Sequence, residues 1–177
     1  DPFHRGKGLC RHLLADTHRL LKSQGYSAVL LVPAEESLRI MYEKLGYRTC
    51  THVAEFESAA GSVPVPLRAI GPEEFAALRR RFLPPSAVLQ EQENLAFLSR
   101  QAQFYTGVNV LMAAYSEDRQ LTALELLGDR AAASGILRTL DCQKGRFRCP
   151  GTQVPFAMMH ALIPEAVAPS YFGFAFD

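Results

Sequence analysis

Arg5-Gly6-Lys7-Gly8-Leu9-Cys10 is the stretch that most narrows what this chain can become. Two glycines one residue apart run directly into a helical pattern. Leu9, Cys10, Leu13, Leu14, Thr17, Leu20 and Leu21 share one face, Arg11, Asp16, Arg19 and Lys22 lie opposite, and Gly25 ends the run. The first amides of a helix have no partners within it, and the aligned peptide dipoles place the equivalent of about half a positive charge at that end. Glycines there let an anion approach the backbone with no Cβ in the way, while Arg5, Lys7 and Arg11 raise the local potential. A pyrophosphate suits such a corner. A loop of this kind ordinarily joins a preceding strand to its helix. Here only four residues precede Arg5 and none is methionine, so the sequence reads as a fragment truncated at its N-terminus.

Two familiar nucleotide loops do not fit. A Walker loop needs Gly-Lys-Ser/Thr, and none follows Gly6. A dinucleotide fingerprint needs a third glycine where Arg11 stands, and an acidic residue about 20 positions on, where the chain has Leu30 and Leu31.

Downstream, Ala28-Val29-Leu30-Leu31-Val32 is an apolar run bounded by Gly25 and Pro33, the mark of a strand buried on both faces. A second helix begins near Glu35 and Glu36, shows Leu38, Met41, Tyr42 and Leu45 at helical spacing, and stops at Gly46. Tyr47 to Phe56 reads as a strand. Strand and helix in alternation predict an α/β layer.

Two of these segments resemble the signatures of the GNAT superfamily of N-acetyltransferases. Arg5, Gly8 and Cys10 occupy the three defined places of Q/R-x-x-G-x-G/A, with Cys10 standing where the family has glycine or alanine. Pro33 to Tyr47 resembles the later motif N-x-x-A-x-x-x-Y-E-K-x-G-F, with Glu35 and Leu38 in place of its asparagine and alanine and with Tyr42 as its tyrosine. The resemblance implies an acetyl-CoA site formed by Arg5, Gly6, Lys7, Gly8, Leu9 and Cys10, and a catalytic Tyr42 beside the thioester sulfur. An amine attacking a thioester expels a thiolate, which a nearby hydroxyl can stabilise. A phenol is a weaker acid than a thiol by roughly 1.5 pKa units, so complete proton transfer is uphill by ~2 kcal/mol, and a hydrogen bond to the leaving sulfur is the expected contribution. His4 and the terminal carboxylate of Asp177 are candidates for the general base. The two-domain arrangement is distantly similar to that of the Eis acetyltransferases, in which the chain terminus reaches the active site.

Residues 57 to 66, Glu-Ser-Ala-Ala-Gly-Ser-Val-Pro-Val-Pro, have the composition of a linker. Beyond it, Pro72 opens a helix bearing Phe75, Leu78 and Phe82, with Arg79-Arg80-Arg81 as a solvated charged face. A longer helix follows from about Ser86, its inward face marked by Leu95, Leu98, Ala102 and Tyr105. Val108 to Tyr115 and Gln120 to Leu127 form a hairpin, Asp129 caps a helix carrying Ala133, Ile136, Leu137 and Leu140, and a strand surrounds Phe147. Phe156 to Ile163 and Tyr171 to Phe176 read as strands, His160 being a satisfied strand histidine. Gly128 to Gly135 lacks paired glycines and carries an aspartate where phosphate would sit, so no CoA is expected there.

The expectation is therefore an α/β (α+β) protein: residues 1 to 56 as the C-terminal half of a GNAT domain, 57 to 66 as linker, and 67 to 177 as a second, degenerate GNAT-like domain shaping the acceptor site or an oligomer interface. The implied reaction is direct transfer from acetyl-CoA to a primary amine of a small molecule or peptide, without metal. Two alternatives stay open: a scaffold that has lost catalysis, and an acyl-CoA-sensing regulator. The net charge of +1 gives no general attraction for nucleic acid. No apolar run reaches the ~20 residues of a membrane span, and a cytoplasmic, bacterial protein is expected. Cys10, Cys50, Cys142 and Cys149 have no spacing suited to zinc or to a disulfide framework and are read as small buried hydrophobes.

Overall fold

The structure is a computed structural model that describes Phe3 and residues 6–175. In chain order these form α1 (Leu9–Ser23), β1 (Ala28–Leu31), α2 (Glu36–Glu43), β2 (Arg48–Thr49), β3 (His52–Ala59), β4 (Leu67–Ile70), α3 (Pro72–Phe82) and α4 (Gln92–Leu98). Then come β5 (Gln103–Gly107), β6 (Val110–Glu117), β7 (Gln120–Gly128), α5 (Ala133–Thr139), β8 (Lys144–Pro150), β9 (Val154–Pro155) and β10 (Met158–Ala161), with a 3-10 turn over Arg130–Ala132 leading into α5. The chain divides into two compact units, one made of the residues up to Cys50 plus Ala157–Ala168, the other of Thr51–Phe156 plus the segment from Pro169.

The first unit holds a three-stranded sheet in the order β1-β10-β2. β10 runs antiparallel to both neighbours, pairing Val29 with His160 and Arg48 with Met159. β1 and β2 therefore run parallel, joined through α2, as the alternating pattern predicts, with the late strand between them. Tyr47, Ala157 and Met158 are its most buried side chains. α1 buries no residue fully: Leu14, Thr17 and Leu21 are half-buried, while Leu9, Leu13 and Leu20 are 52%, 69% and 58% exposed. β1 is likewise only half-buried along its length, not enclosed on both faces. The strand expected over 47 to 56 is divided at Cys50, because β2 pairs in this sheet and β3 pairs in the sheet of the second unit.

That second unit is built on a seven-stranded sheet, β4-β5-β6-β7-β8-β3-β9, antiparallel except where β7 meets β8. The parallel pair requires a crossover, which the 3-10 turn and α5 supply. α3 packs on β5, β6 and β7, and α5 on β3 and β8. Met112, Leu126, Ile136, Leu137 and Phe147 lie at the centre of the core, each 1% exposed or less. Each such side chain contributes roughly 1.5–3 kcal/mol by leaving water. Asp118 and Arg119, both at positive φ, make the two-residue turn between β6 and β7 that suits the strands' right-handed twist.

Several expectations change here. Residues 57–66 have a linker's composition but are strapped down: β3 continues to Ala59, the Ala60 and Gly61 amides bond to Gln143 and Ser134, and Val65 exchanges hydrogen bonds with the Thr139 hydroxyl. Gly135 makes the strap fit, since a Cβ there would sit 2.5 Å from Val65 Cγ1. The compact units thus part at Cys50, not within this segment. The long helix expected from Ser86 is confined to Gln92–Leu98, and Gln103–Gly107 is strand β5, because Phe104 and its neighbours pair with both β4 and β6. Leu95, Leu98 and Ala102 do face inward. Tyr171 to Ala175 is irregular chain, not a strand, held by Val88 N–H to the Tyr171 carbonyl, Gln90 Nε2 to the Phe174 carbonyl at 2.7 Å, and Phe174 set edge-on to Phe75 and Phe104. Arg79 is not on a solvated face: it is 1% exposed and grips Glu125 with two hydrogen bonds of 2.7 and 2.9 Å. All four cysteines are free, and Cys10 is exposed, not buried.

Candidate active site

The corner before α1 is shaped by backbone conformation. Gly6 and Gly8 have φ of 73° and 72°, a left-handed region in which a Cβ is disfavoured. The first helical hydrogen bond runs from His12 N–H to the Gly8 carbonyl, which leaves the Leu9, Cys10 and Arg11 amides ahead of it. No side chain caps this end and no acidic residue lies in the first turn. Among the described residues nothing lies within 4 Å of a Cβ built on Gly6, and only His12 comes that close to one on Gly8. The corner is open, with Lys7 and Cys10 exposed beside it. Arg5 and His4 at one end and Asp177 at the other lie outside the described residues.

α2 sets Tyr42 half-buried one residue before its C-terminal Glu43, and the Tyr42 carbonyl takes the amides of Leu45 and Tyr47 as the helix closes over Gly46. Tyr42 packs edge-on against Tyr47, with ring centroids 5.4 Å apart. Tyr47 is 1% exposed, and its hydroxyl meets His18 Nε2 at 2.7 Å. Burial, then the charges of Tyr42 and of Cys10, push the Tyr47 phenol above its ordinary pKa. Tyr47 is thus within electrostatic reach both of the helix corner, through Cys10, and of Tyr42. Behind it His18 stacks on His160 at 4.1 Å, and His160 Nδ1 lies 3.2 Å from the Gly46 carbonyl. Gly46 is the residue that permits this, since a Cβ there would come within 3.1 Å of that ring nitrogen.

Comparison with protein-family models finds no match, and comparison with curated proteins finds none either. Solved structures do match. A GCN5-related N-acetyltransferase from Kribbella flavida is 17% identical over 91% of this chain and 50% of its own, with a TM-score of 0.60. One from Anabaena variabilis is 13% identical over 92% of this chain and 53% of its own, with a TM-score of 0.65. This chain has the GCN5-related N-acetyltransferase fold. Eis1 from Mycobacterium abscessus shares the fold too, at 12% identity, 91% and 53% coverage and a TM-score of 0.60. The chain spans about half the length of these GNAT-fold structures.

Within the GNAT fold the other strand-to-helix corner, between β7 and α5, is filled. A Cβ on Gly128 would lie 2.1 Å from the Asn109 carbonyl oxygen, and the Asp129 carboxylate accepts the Ala131 amide. An aspartate caps a helix by occupying the place an anion would take. Among the described residues no group of three or more His, Cys, Asp or Glu could hold a metal ion, and no helix is long and apolar enough to cross a membrane.

Sequence reasoning did not identify His18, His160 or Tyr47 as neighbours of the site. Part of the signal was present, because Arg11, Leu14, Ala15 and His18 recur at intervals that place them on one stripe of α1. The partner was not legible, as His160 and Gly46 are 114 residues apart.

Proposed function

We propose that this chain carries the coenzyme-binding part of an N-acetyltransferase that moves an acetyl group from acetyl-CoA to a primary amine of a small molecule or peptide. The observation that carries this reading is the corner before α1, where two left-handed glycines lead into a helix whose first amides have no partner among the described residues and whose first turn holds no acidic residue. The fold supports it, and so does the contrast with the filled corner before α5.

In this reading Gly6, Lys7, Gly8, Leu9 and Cys10 hold the pyrophosphate by backbone amides and local positive charge, with Arg5 as a further cation. Tyr42 directs its hydroxyl to the departing thiolate and stabilises it by a hydrogen bond. Its ring is steadied by the buried Tyr47, which is itself fixed by His18. Acetyl-CoA supplies the thioester, and the chain's part is to bind, orient and neutralise developing charge.

Calorimetry with acetyl-CoA tests the binding step. Saturable binding that Gly8→Arg abolishes is expected, since the new side chain would fill the corner. No affinity, or an affinity that Gly8→Arg leaves unchanged, removes the transferase reading. Release of CoA thiol in the presence of an amine panel then separates an enzyme from a protein that only senses the coenzyme.

A further inference from the structure

A cavity of about 490 Å³ opens in the first unit between α1, the end of α2 and β10. That is ample for a small organic anion. Its polar wall is made of Arg11, His18, Lys44 and His160, and its apolar wall includes Leu14 and Leu45. No carboxylate among the described residues lines it. Arg19 and Arg39, by contrast, pair with Asp16 and Glu36 on their own helices. Among the described residues Arg11 and Lys44 have no acidic partner. Two exposed cations beside two imidazoles give the cavity a positive lining that an anion would offset.

The imidazoles are arranged so that this imbalance depends on protons. A carbonyl oxygen only accepts, so the Gly46 carbonyl fixes the hydrogen of neutral His160 on Nδ1 and leaves Nε2 to take another. His18 is tied through Nε2 to the Tyr47 hydroxyl and lies face to face with His160, the rings 16° from parallel. Two stacked imidazolium ions 4.1 Å apart would repel each other, and either would also face Arg11 from α1 and Lys44 from the end of α2. Tyr47, from the segment after α2, is neutral. Among the described residues every charged side chain lining the cavity is a cation, so each opposes protonation of the pair. Burial, then His160, lower the pKa of His18, as this arrangement requires. A dianion among the same groups reverses the sign of the interaction.

We propose that this cavity binds a phosphate-type dianion, and that binding is coupled to uptake of a proton by the stacked His18–His160 pair. Neither the corner before α1 nor transfer chemistry is needed for it. The dianion has two sources, a phosphate monoester carried by the coenzyme itself or a separate phosphorylated metabolite.

Sulfate is the probe, because its charge stays at two between pH 5.5 and 8, so any pH dependence belongs to the protein. Calorimetry should show saturable sulfate binding about tenfold tighter at pH 5.5 than at 7.5, which corresponds to a rise of about one pKa unit on the imidazole pair. Ring-proton NMR of the unmodified protein should show that rise on His18 or His160. Replacing both rings, with His18→Gln and His160→Asn together, should remove the pH dependence, whereas Lys44→Met should weaken binding at every pH and keep the slope. If CoA displaces sulfate and dephospho-CoA does not, the coenzyme's monoester is the ligand. If neither displaces bound sulfate, a separate phosphorylated metabolite is. Absence of saturable binding, binding independent of pH, or a rise confined to any other histidine would overturn the proposal.

Discussion

Gly6 and Gly8 hold the open corner by conformation alone, so adding a methyl group separates backbone strain from blockage. Gly6→Ala, at φ 73°, should destabilise the chain by about 1 kcal/mol, measured as a shift in its urea midpoint, although nothing lies near the added carbon. Tyr42→Phe keeps the ring against Tyr47 and removes only the hydroxyl. If the chain is a transferase, kcat should fall about 10- to 100-fold with little change in KM, the signature of a group that acts in the transition state. His18 gives a stability test without substrate. Its pKa is held below the ordinary 6.5, so the unfolded chain binds that proton more readily; the stability is present above pH 6.5 and is lost as pH falls through the lower, folded value. Denaturation at pH 8 and pH 5 should show the loss, and His18→Gln should reduce it. Some of this is legible in the sequence: glycine spacing announces the corner, and Asp129 announces a cap that the Ala131 amide confirms. The imidazole stack was not, because nothing local marks which distant histidine a helix histidine will meet.

Regular elements were legible where hydrophobic period and punctuation agreed. α1, α2 and α3 end two or three residues before the glycines and prolines that announce them, and the β6–β7 hairpin turns within the predicted four residues. Legibility failed where tertiary pairing outweighed local pattern. Tyr105 fits a helical face, yet hydrogen bonds to strands on both sides hold Gln103–Gly107 extended. Arg79 lies within a charge run that usually faces water, and Glu125, 46 residues away, together with the Val88 carbonyl satisfies it in the interior. Removing one partner of such a pair strands the other. Arg79→Met should cost about 3–5 kcal/mol in urea denaturation, and Arg79→Met with Glu125→Leu should recover most of it. The Tyr171 hydroxyl, buried beside this pair, has its pKa pushed well up by burial and then by Glu125. It also rules out any side chain at residue 173, where a Cβ would lie 1.8 Å from it.

Across the whole molecule, the order of elements was readable and their partition was not. Composition placed the break in residues 57–66, but hydrogen bonding decides it, since β3 begins the second unit and β10 returns to the first. β10 has a neighbour on each side, so losing one of its amides should be felt in both. Met159→Pro should cost about 3 kcal/mol or more and speed hydrogen exchange in β1 and β2, while β6 and β7 stay protected. This threading also fixes an order of assembly during synthesis. Domains ordinarily fold as they leave the ribosome, early segments first. Here β1 and β2 gain their shared neighbour only when β10 is made, after every strand from β3 to β9. The pocket that His160 helps to wall therefore comes into existence only after the intervening sheet has had time to form, and a nascent chain stalled before that histidine should have no such pocket.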